Sequence, residues 1–284
     1  MTTLVARWER PSRTGTAGRY VLLVVGAIIM VLPFLYMLST SFKGQQYVLT
    51  TPPQWIPHPA TASNYSGVLG ADHFALYFLN SVIVSVLSTV ISLLLSSMMA
   101  YAFARFSFPG RELMFRILLL GLMIPAMMLI IPQFILAKYL GLLDSLGGLV
   151  VFYVASTLSL NTFLLRGFFE DIPHELEQAM EVDGAGSVTR YWRLILPLAR
   201  PALATATIFT FLAGWDEYPW ALTIINTQSK QTLPLAIAFF QGQNSTEWGL
   251  VFAASVLAVV PVIVVFMVFQ RHFVQGLTSG AVKG

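Results

Sequence analysis

Apolar residues in this chain fall in long blocks, separated by polar or proline-rich segments. Six blocks, residues 20–41, 76–103, 113–136, 146–165, 202–223 and 250–269, reach the roughly 20 apolar residues a helix needs to cross about 30 Å of hydrocarbon. Each predicts a membrane-spanning helix, and six spans put both ends of the chain on one side. Pro33, Pro125, Pro132, Pro219 and Pro261 fall inside these blocks and predict kinks or breaks. Such breaks are tolerated where neighbouring helices or a cavity satisfy the freed backbone groups.

The polar segments differ in character. Residues 166–200 form a charge-rich loop between the fourth and fifth blocks. Pro173 suits the first turn of a helix, with Glu175 and Glu177 near its positive dipole end. Leu176, Ala179, Met180 and Asp183 stand at i, i+3, i+4 and i+7, which gives one narrow face of small and apolar side chains. Gly184 falls where a helix C-terminus turns left-handed. Ser187 is placed to cap a second helix through Tyr191, Trp192 and Leu194, which Pro197 closes. The pattern predicts a helix–glycine–helix element. It fits an amphipathic hairpin on the membrane surface or a helix seated in a groove of another protein.

Composition narrows the class. Hydrophobic residues make up 56% and charged ones 10% of the 284 residues. An average soluble domain carries roughly 25% charged residues, so this chain lacks the polar surface to face water all round. A mean hydropathy of +0.74 agrees with an integral membrane protein. With no cysteine, disulfide frameworks, thiol catalysis and cysteine metal sites are excluded, and the four scattered histidines lack ligand spacing. The net charge of +3 matters less than its distribution, and no nucleic-acid partner is expected. Thirteen of the 16 basic residues, from Arg7 to Arg19, Arg105 to Arg116, Arg166 to Arg200, then Arg271 and Lys283, lie on one side of the six-span pattern. Only Lys43, Lys138 and Lys230 lie on the other. The positive-inside rule therefore places both termini and the 166–200 loop in the cytoplasm. The first apolar run exceeds a signal peptide's usual 7–15 residues, so it is expected to remain as a span. The outer loop, residues 43–73, carries Pro52, Pro53, Pro57 and Pro59 and predicts an extended path, with Tyr47, Trp55 and Tyr65 at the membrane interface.

Candidate chemistry is sparse. Asp216 and Glu217, in the run GWDEYPW, are the acidic residues placed within a span. At 1.5 Å per residue from Pro201, Asp216 lies about 22 Å into the membrane. Charges at that depth face a cavity or a partner. With Trp215, Tyr218 and Trp220 they make a candidate sugar-contacting set. An interfacial structural pair, or packing against a second subunit, would use the same residues. Asn161, Gln133 and Ser159 predict hydrogen bonds between helices. No phosphate-binding glycine-rich loop occurs, so no catalytic residue, metal site or bound cofactor is expected in this chain.

The loop also carries a resemblance. Gln178-Ala179-Met180, Asp183-Gly184-Ala185 and Leu194-Ile195-Leu196-Pro197 resemble the signature loop of binding-protein-dependent ABC permeases, and the spacing from Gly184 to Leu194 matches without a gap. Gln178 replaces the usual Glu and Met180 the second Ala, while Glu177 stands one position early. YMLSTSFK at 36–43, Asn80-Ser81, AYAFARFSFPGR at 100–111 and the tail GLTSGAVKG at 276–284 are similar to carbohydrate-type permeases related to the second maltose permease. The resemblance implies an all-α integral membrane fold of six transmembrane helices with a cytoplasmic coupling-helix loop, the type I ABC importer permease fold. It implies a tail at 1–19 and one permease domain over 20–284, in a bacterial or archaeal inner membrane. Glu177, Gln178, Ala179, Met180, Asp183, Gly184, Ala185, Leu196 and Pro197 would then form the coupling joint with an ATPase. Gly276, Leu277, Thr278 and Ser279, in the tail 271–284, would reach the same ATPase. The implied partners are a second permease subunit, two cytoplasmic ATPase subunits that hold ATP and Mg, and an extracytoplasmic solute-binding protein. Two other classes compete: a proton-coupled secondary transporter using Asp216 and Glu217 as its relay, and a membrane scaffold whose loop binds a signalling protein. Neither explains both the loop and the tail.

Overall fold

The computed structural model describes the backbone of residues 13–242 and 246–281, and side chains for 18–242 and 246–272. Helices α1 (Arg13–Ser41), α2 (Ser63–Gly70), α3 (Phe74–Arg105), α4 (Arg111–Leu120), α5 (Ile130–Tyr139) and α6 (Leu146–Glu170) lead into the charged loop. The loop contains α7 (His174–Val182) and α8 (Ser187–Arg190), a π-helical turn over Tyr191–Ile195, and α9 (Leu196–Leu198). Helices α10 (Arg200–Trp215), α11 (Pro219–Ile224), α12 (Leu233–Phe239) and α13 (Trp248–Ala281) complete the fold. Residues 1–12 of the expected N-terminal tail lie outside the described residues.

Among the described residues four helices, α1, α3, α6 and α13, are long and apolar enough to cross a bilayer unbroken. Two bent pairs, each counted as one span, bring the number to as many as six. Residues 111–123 and 126–139 meet at 96°, and 187–198 and 200–215 at 78°. The six-span, all-α expectation holds, with the third and fifth spans interrupted.

Only some prolines break their helices. Ile124 and Pro125 are extended and separate the two halves of the third span, since the residue before a proline is driven out of the α region. Pro219 opens α11, where its missing amide costs nothing. Pro132 sits in the first turn of α5 for the same reason. Contrary to the sequence expectation, α1 and α13 continue through Pro33 and Pro261, because one lost amide bond is outweighed by intact turns on either side. The fifth block is likewise not one helix to residue 223. Helix α10 spans 16 residues, about 24 Å, and stops at Trp215. The outer loop also departs from the extended path, because residues 63–70 form α2.

Helix α3 sits at the centre, packed on α6 and α10, while α13 packs on α10 and α1 leans against α13. Its contact face is a stripe of small hydroxyl residues, Ser85, Ser88, Thr89, Ser92, Ser96 and Ser97, all buried. Small side chains let helices approach closely where lipid removes the hydrophobic drive for association. Asn161 ties three helices together, donating to Ser92 Oγ at 3.0 Å and Thr210 Oγ1 at 2.8 Å. The interhelical role expected of Asn161 is thus present. The apolar side chains of α1 point outward, as a lipid-facing or subunit-facing helix requires.

Candidate functional site

Helix α7 is fixed to the arginine-rich end of the bundle by a buried charge cluster. Glu177 is turned inward, with Oε1 2.5 Å from Arg105 Nε but without hydrogen-bond alignment. Its Oε2 accepts a bond from Tyr101 Oη at 3.2 Å. Arg105 also donates to the Ile172 carbonyl at 2.6 Å and meets His174 Nε2 at 3.0 Å. Tyr101 and Arg105 stand at the foot of α3, and His174 and Glu177 on α7, so the cluster welds the loop to the central helix. Glu177 therefore serves as an internal anchor and not as part of the exposed face.

The opposite face of α7 is bare. Gln178, Ala179, Asp183 and Gly184 are exposed, Met180 and Ala185 partly so, and Val182 is 89% exposed. Gly184 adopts φ +81°, and the helix ends in a double hydrogen bond, Ala185 N–H to Met180 O and Gly184 N–H to Glu181 O, each 2.9 Å. This is the glycine C-terminal turn expected from the sequence. Val188 is exposed as well, so the reversal presents Val182 and Val188 on one rim of the loop. Arg190 bonds Glu181 at 2.6 Å and closes the turn across its base. Two local expectations fail. Gly186, not Ser187, is the N-cap of α8, since no side chain bonds the free amides and the Ser187 hydroxyl faces Arg190 instead. The chain turns at Ala199 and not at Pro197, because a proline in the first turn of α9 needs no amide partner. Leu196 and Pro197 thus lie in the crossing between the loop and α10. The backbone of Gly276, Leu277, Thr278 and Ser279 continues α13, and their side chains lie outside the described residues.

The GWDEYPW run divides between two cavities. Trp215 is buried, stacked on Phe211 at 5.6 Å, and donates its Nε1–H to Ala258 O at 3.1 Å. Its edge and the exposed Asp216 and Tyr218 line a cavity of about 280 Å³ with Leu233 and Ile237. Glu217 turns the other way and receives the backbone amides of Trp220 at 2.7 Å and Ala221 at 3.0 Å, so it closes the start of α11. Tyr153 Oη donates to it at 2.6 Å. Glu217 and Trp220 line a second cavity, of about 180 Å³, with Tyr153 and Gln133. The five residues form no single site. The exposed Asp216 carboxylate has no hydrogen-bond or ion-pair partner among the described residues, while Trp215 and Glu217 have structural bonds.

At the end away from the arginines, Asp144 clasps the segment after α11. Its carboxylate accepts the Thr227 hydroxyl and the Thr227 and Asn226 amides, and Lys230 adds a bond at 3.2 Å. These bonds, the Thr227 hydroxyl first, hold the Asp144 carboxyl well below the usual carboxylate range. Lys43 is buried there, its ammonium over the Tyr36 ring at 4.6 Å and bonded to the Gln54 carbonyl. Burial lowers its pKa.

Residues 92–279, containing the loop, its Tyr101 and Arg105 anchor at the foot of α3, and most of the last helix, match the model of the family described as "Binding-protein-dependent transport system inner membrane component". The chain belongs to this family. The permease is 38% identical over 264 residues to the trehalose transport system permease protein SugB of Mycobacterium tuberculosis, covering 92% of this chain and 95% of that protein. It is 35% identical over 273 residues to the diacetylchitobiose uptake system permease protein NgcG of Streptomyces coelicolor, covering 95% and 90%. The trehalose/maltose permease protein MalG of Thermococcus litoralis is 36% identical over 272 residues, covering 93% and 97%. A solved bacterial ABC transporter involved in alginate import aligns with TM-score 0.78 and 27% identity over 94% of this permease and 99% of that chain. The resemblance read from the signature loop is thereby confirmed at family level.

Sequence reasoning missed the anchors. Arg105, Tyr101, Tyr153 and Asp144 were not singled out, though Tyr101 and Arg105 stand in the 100–111 stretch that carried part of the resemblance.

Proposed function

We propose that this permease is the membrane-spanning subunit of an ATP-driven importer of a sugar or related carbohydrate, and that its loop couples ATPase closure to alternating access. The observation that carries this reading is the α7–Gly184–α8 rim. Its outer side is bare, with Ala179, Val182 and Val188 exposed beside Gln178 and Asp183, while its inner side is bonded to α3 through Glu177. A partner that moved the rim would move the central helix with it. The relatives' names, trehalose, maltose and diacetylchitobiose permeases, support a carbohydrate solute. The thirteen-to-three arginine and lysine asymmetry supports a cytoplasmic loop and cytoplasmic termini in a bacterial or archaeal inner membrane.

Gln178, Ala179, Val182, Asp183 and Gly184 make the ATPase contact in this reading, with Met180 and Ala185 at its edge. Small side chains permit close approach, and the left-handed glycine sets the reversal. The chain from 20 to 284 acts as one permease domain. It works with a second permease subunit, two ATPase subunits carrying ATP and Mg, and an extracytoplasmic binding protein. The C-terminal residues 276–279 add a second ATPase contact. This chain supplies no nucleotide-binding loop, so hydrolysis belongs to the partner.

The test is Gly184→Pro in the assembled transporter, reconstituted in liposomes. Proline fixes φ near −65°, against +81° here, and so misdirects α8 without touching a span. Insertion and assembly of the spans should persist, while trehalose-, maltose- or diacetylchitobiose-stimulated ATP hydrolysis is lost. Unaltered stimulation in that variant removes the coupling role of the loop.

A further inference from the structure

We infer a subsite for one sugar ring inside this chain, at the cavity where its two interrupted spans meet. This rests on the carbohydrate reading above and locates part of the path within it. The cavity of about 180 Å³ lies between the start of the second half of the third span, at Ala126, Met127 and Gln133, and the break after α10, at Glu217 and Trp220. Irregular backbone at membrane depth is tolerated where it is buried in protein or lines a polar cavity. Two independent breaks opening on one space is therefore more than packing requires.

The polar groups there are left partly unused. Trp220 is 5% exposed, and its Nε1–H has no partner. A buried donor without an acceptor costs roughly 1–3 kcal/mol, which a bound hydroxyl would relieve. Glu217 takes three hydrogen bonds of the roughly four its carboxylate can accept. The Tyr153 hydroxyl spends its proton on Glu217 and keeps acceptor capacity on its oxygen. Gln133, half-buried, makes no side-chain hydrogen bond among the described residues and offers both amide functions. The free set is thus one indole donor, one amide donor and acceptor, one carboxylate lone pair and one phenol oxygen. Alternating donors and acceptors around an aromatic wall suit the hydroxyls and C–H faces of a pyranose. The cavity is smaller than the roughly 300–1,000 Å³ of typical whole-ligand pockets, so it takes one ring of a longer solute. The adjoining cavity at Asp216, whose carboxylate is exposed, gives no comparable set, because Trp215 has spent its donor on Ala258.

The test places 5-fluorotryptophan at position 220 alone in the assembled transporter and follows its ¹⁹F resonance while glucose, N-acetylglucosamine, trehalose and maltose are titrated through the millimolar range. At least one sugar should shift the resonance saturably, and Gln133→Leu should weaken that apparent affinity about tenfold. Gln133→Glu serves if the leucine variant does not assemble. A resonance that stays fixed for every sugar, or drifts linearly without saturation, overturns the subsite and leaves water as the partner of Trp220. ATP-driven uptake of the same sugars is measured in parallel. Uptake without the shift removes the subsite and keeps the importer, whereas uptake of none of them with no shift removes the carbohydrate reading as well.

Discussion

Glu177→Gln is the perturbation with the most readable consequence. The Arg105 and Glu177 side chains are 4% and 9% exposed, so the charge pair is screened from water. Removing one partner from such a pair leaves an uncompensated buried charge and costs about 3–5 kcal/mol. The lower end applies here, since the 2.5 Å contact lacks hydrogen-bond alignment and Arg105 keeps the Ile172 carbonyl. About 3 kcal/mol lowers the ratio of docked to undocked α7 by roughly two orders of magnitude. The spans are untouched, so the loss is confined to the loop. Hydrogen exchange of a peptide covering residues 174–183, in the transporter held in nanodiscs, reads that ratio directly. Protection should fall about a hundredfold in Glu177→Gln, with peptides from α3 and α6 unchanged. Replacing both partners with apolar residues, Arg105→Met with Glu177→Leu, should restore most of it, because neither charge is then stranded. Unchanged protection in the single variant, or a double variant worse than the two singles combined, refutes the anchoring role.

Three further outcomes follow from the same geometry. Gly184→Ala should cost roughly 1–2 kcal/mol of loop order through backbone strain alone, since no atom lies near the added methyl; Gly184→Asn should cost less, and loop exchange rates rank the two. Asn161→Ala should lower resistance to unfolding by about 1 kcal/mol, near the upper range for interhelical hydrogen bonds, in a denaturant titration of the detergent-solubilised complex. The Asp144 carboxyl is depressed in the folded state, so its contribution is present above the unfolded carboxylate range and is lost as pH falls through the folded pKa. Intrinsically corrected exchange at Asn226 and Thr227 should stay flat from neutral pH down to about 4, and Asp144→Ala should raise it at every pH.

How much of this was legible beforehand depended on the length scale of the signal. Spans are set by runs of some twenty residues, and their number and the sidedness of their arginines followed from local composition. Gly184 was legible because a left-handed turn admits few residues, and the structure gives it φ +81°. Pro33 and Pro261 were misjudged because helix continuity depends on the turns around a proline. The GWDEYPW set was read as one site because its residues are adjacent in sequence. Loss of the helix at Trp215 turns Asp216 and Glu217 to different cavities, and only the contacts of α6 and α13 decide which. Arg105 and Glu177 are distant in sequence, so their pairing needed the fold.

The central claim, that the bare rim of α7 meets an ATPase, is tested most directly by a photo-crosslinking amino acid at Val182 in native membranes. Irradiation should yield one adduct whose partner, by mass spectrometry, is an ATP-binding subunit, while the same probe at the exposed Met30 of α1 yields no adduct with that subunit. Adducts of position 182 with lipid or with this chain alone would contradict the claim.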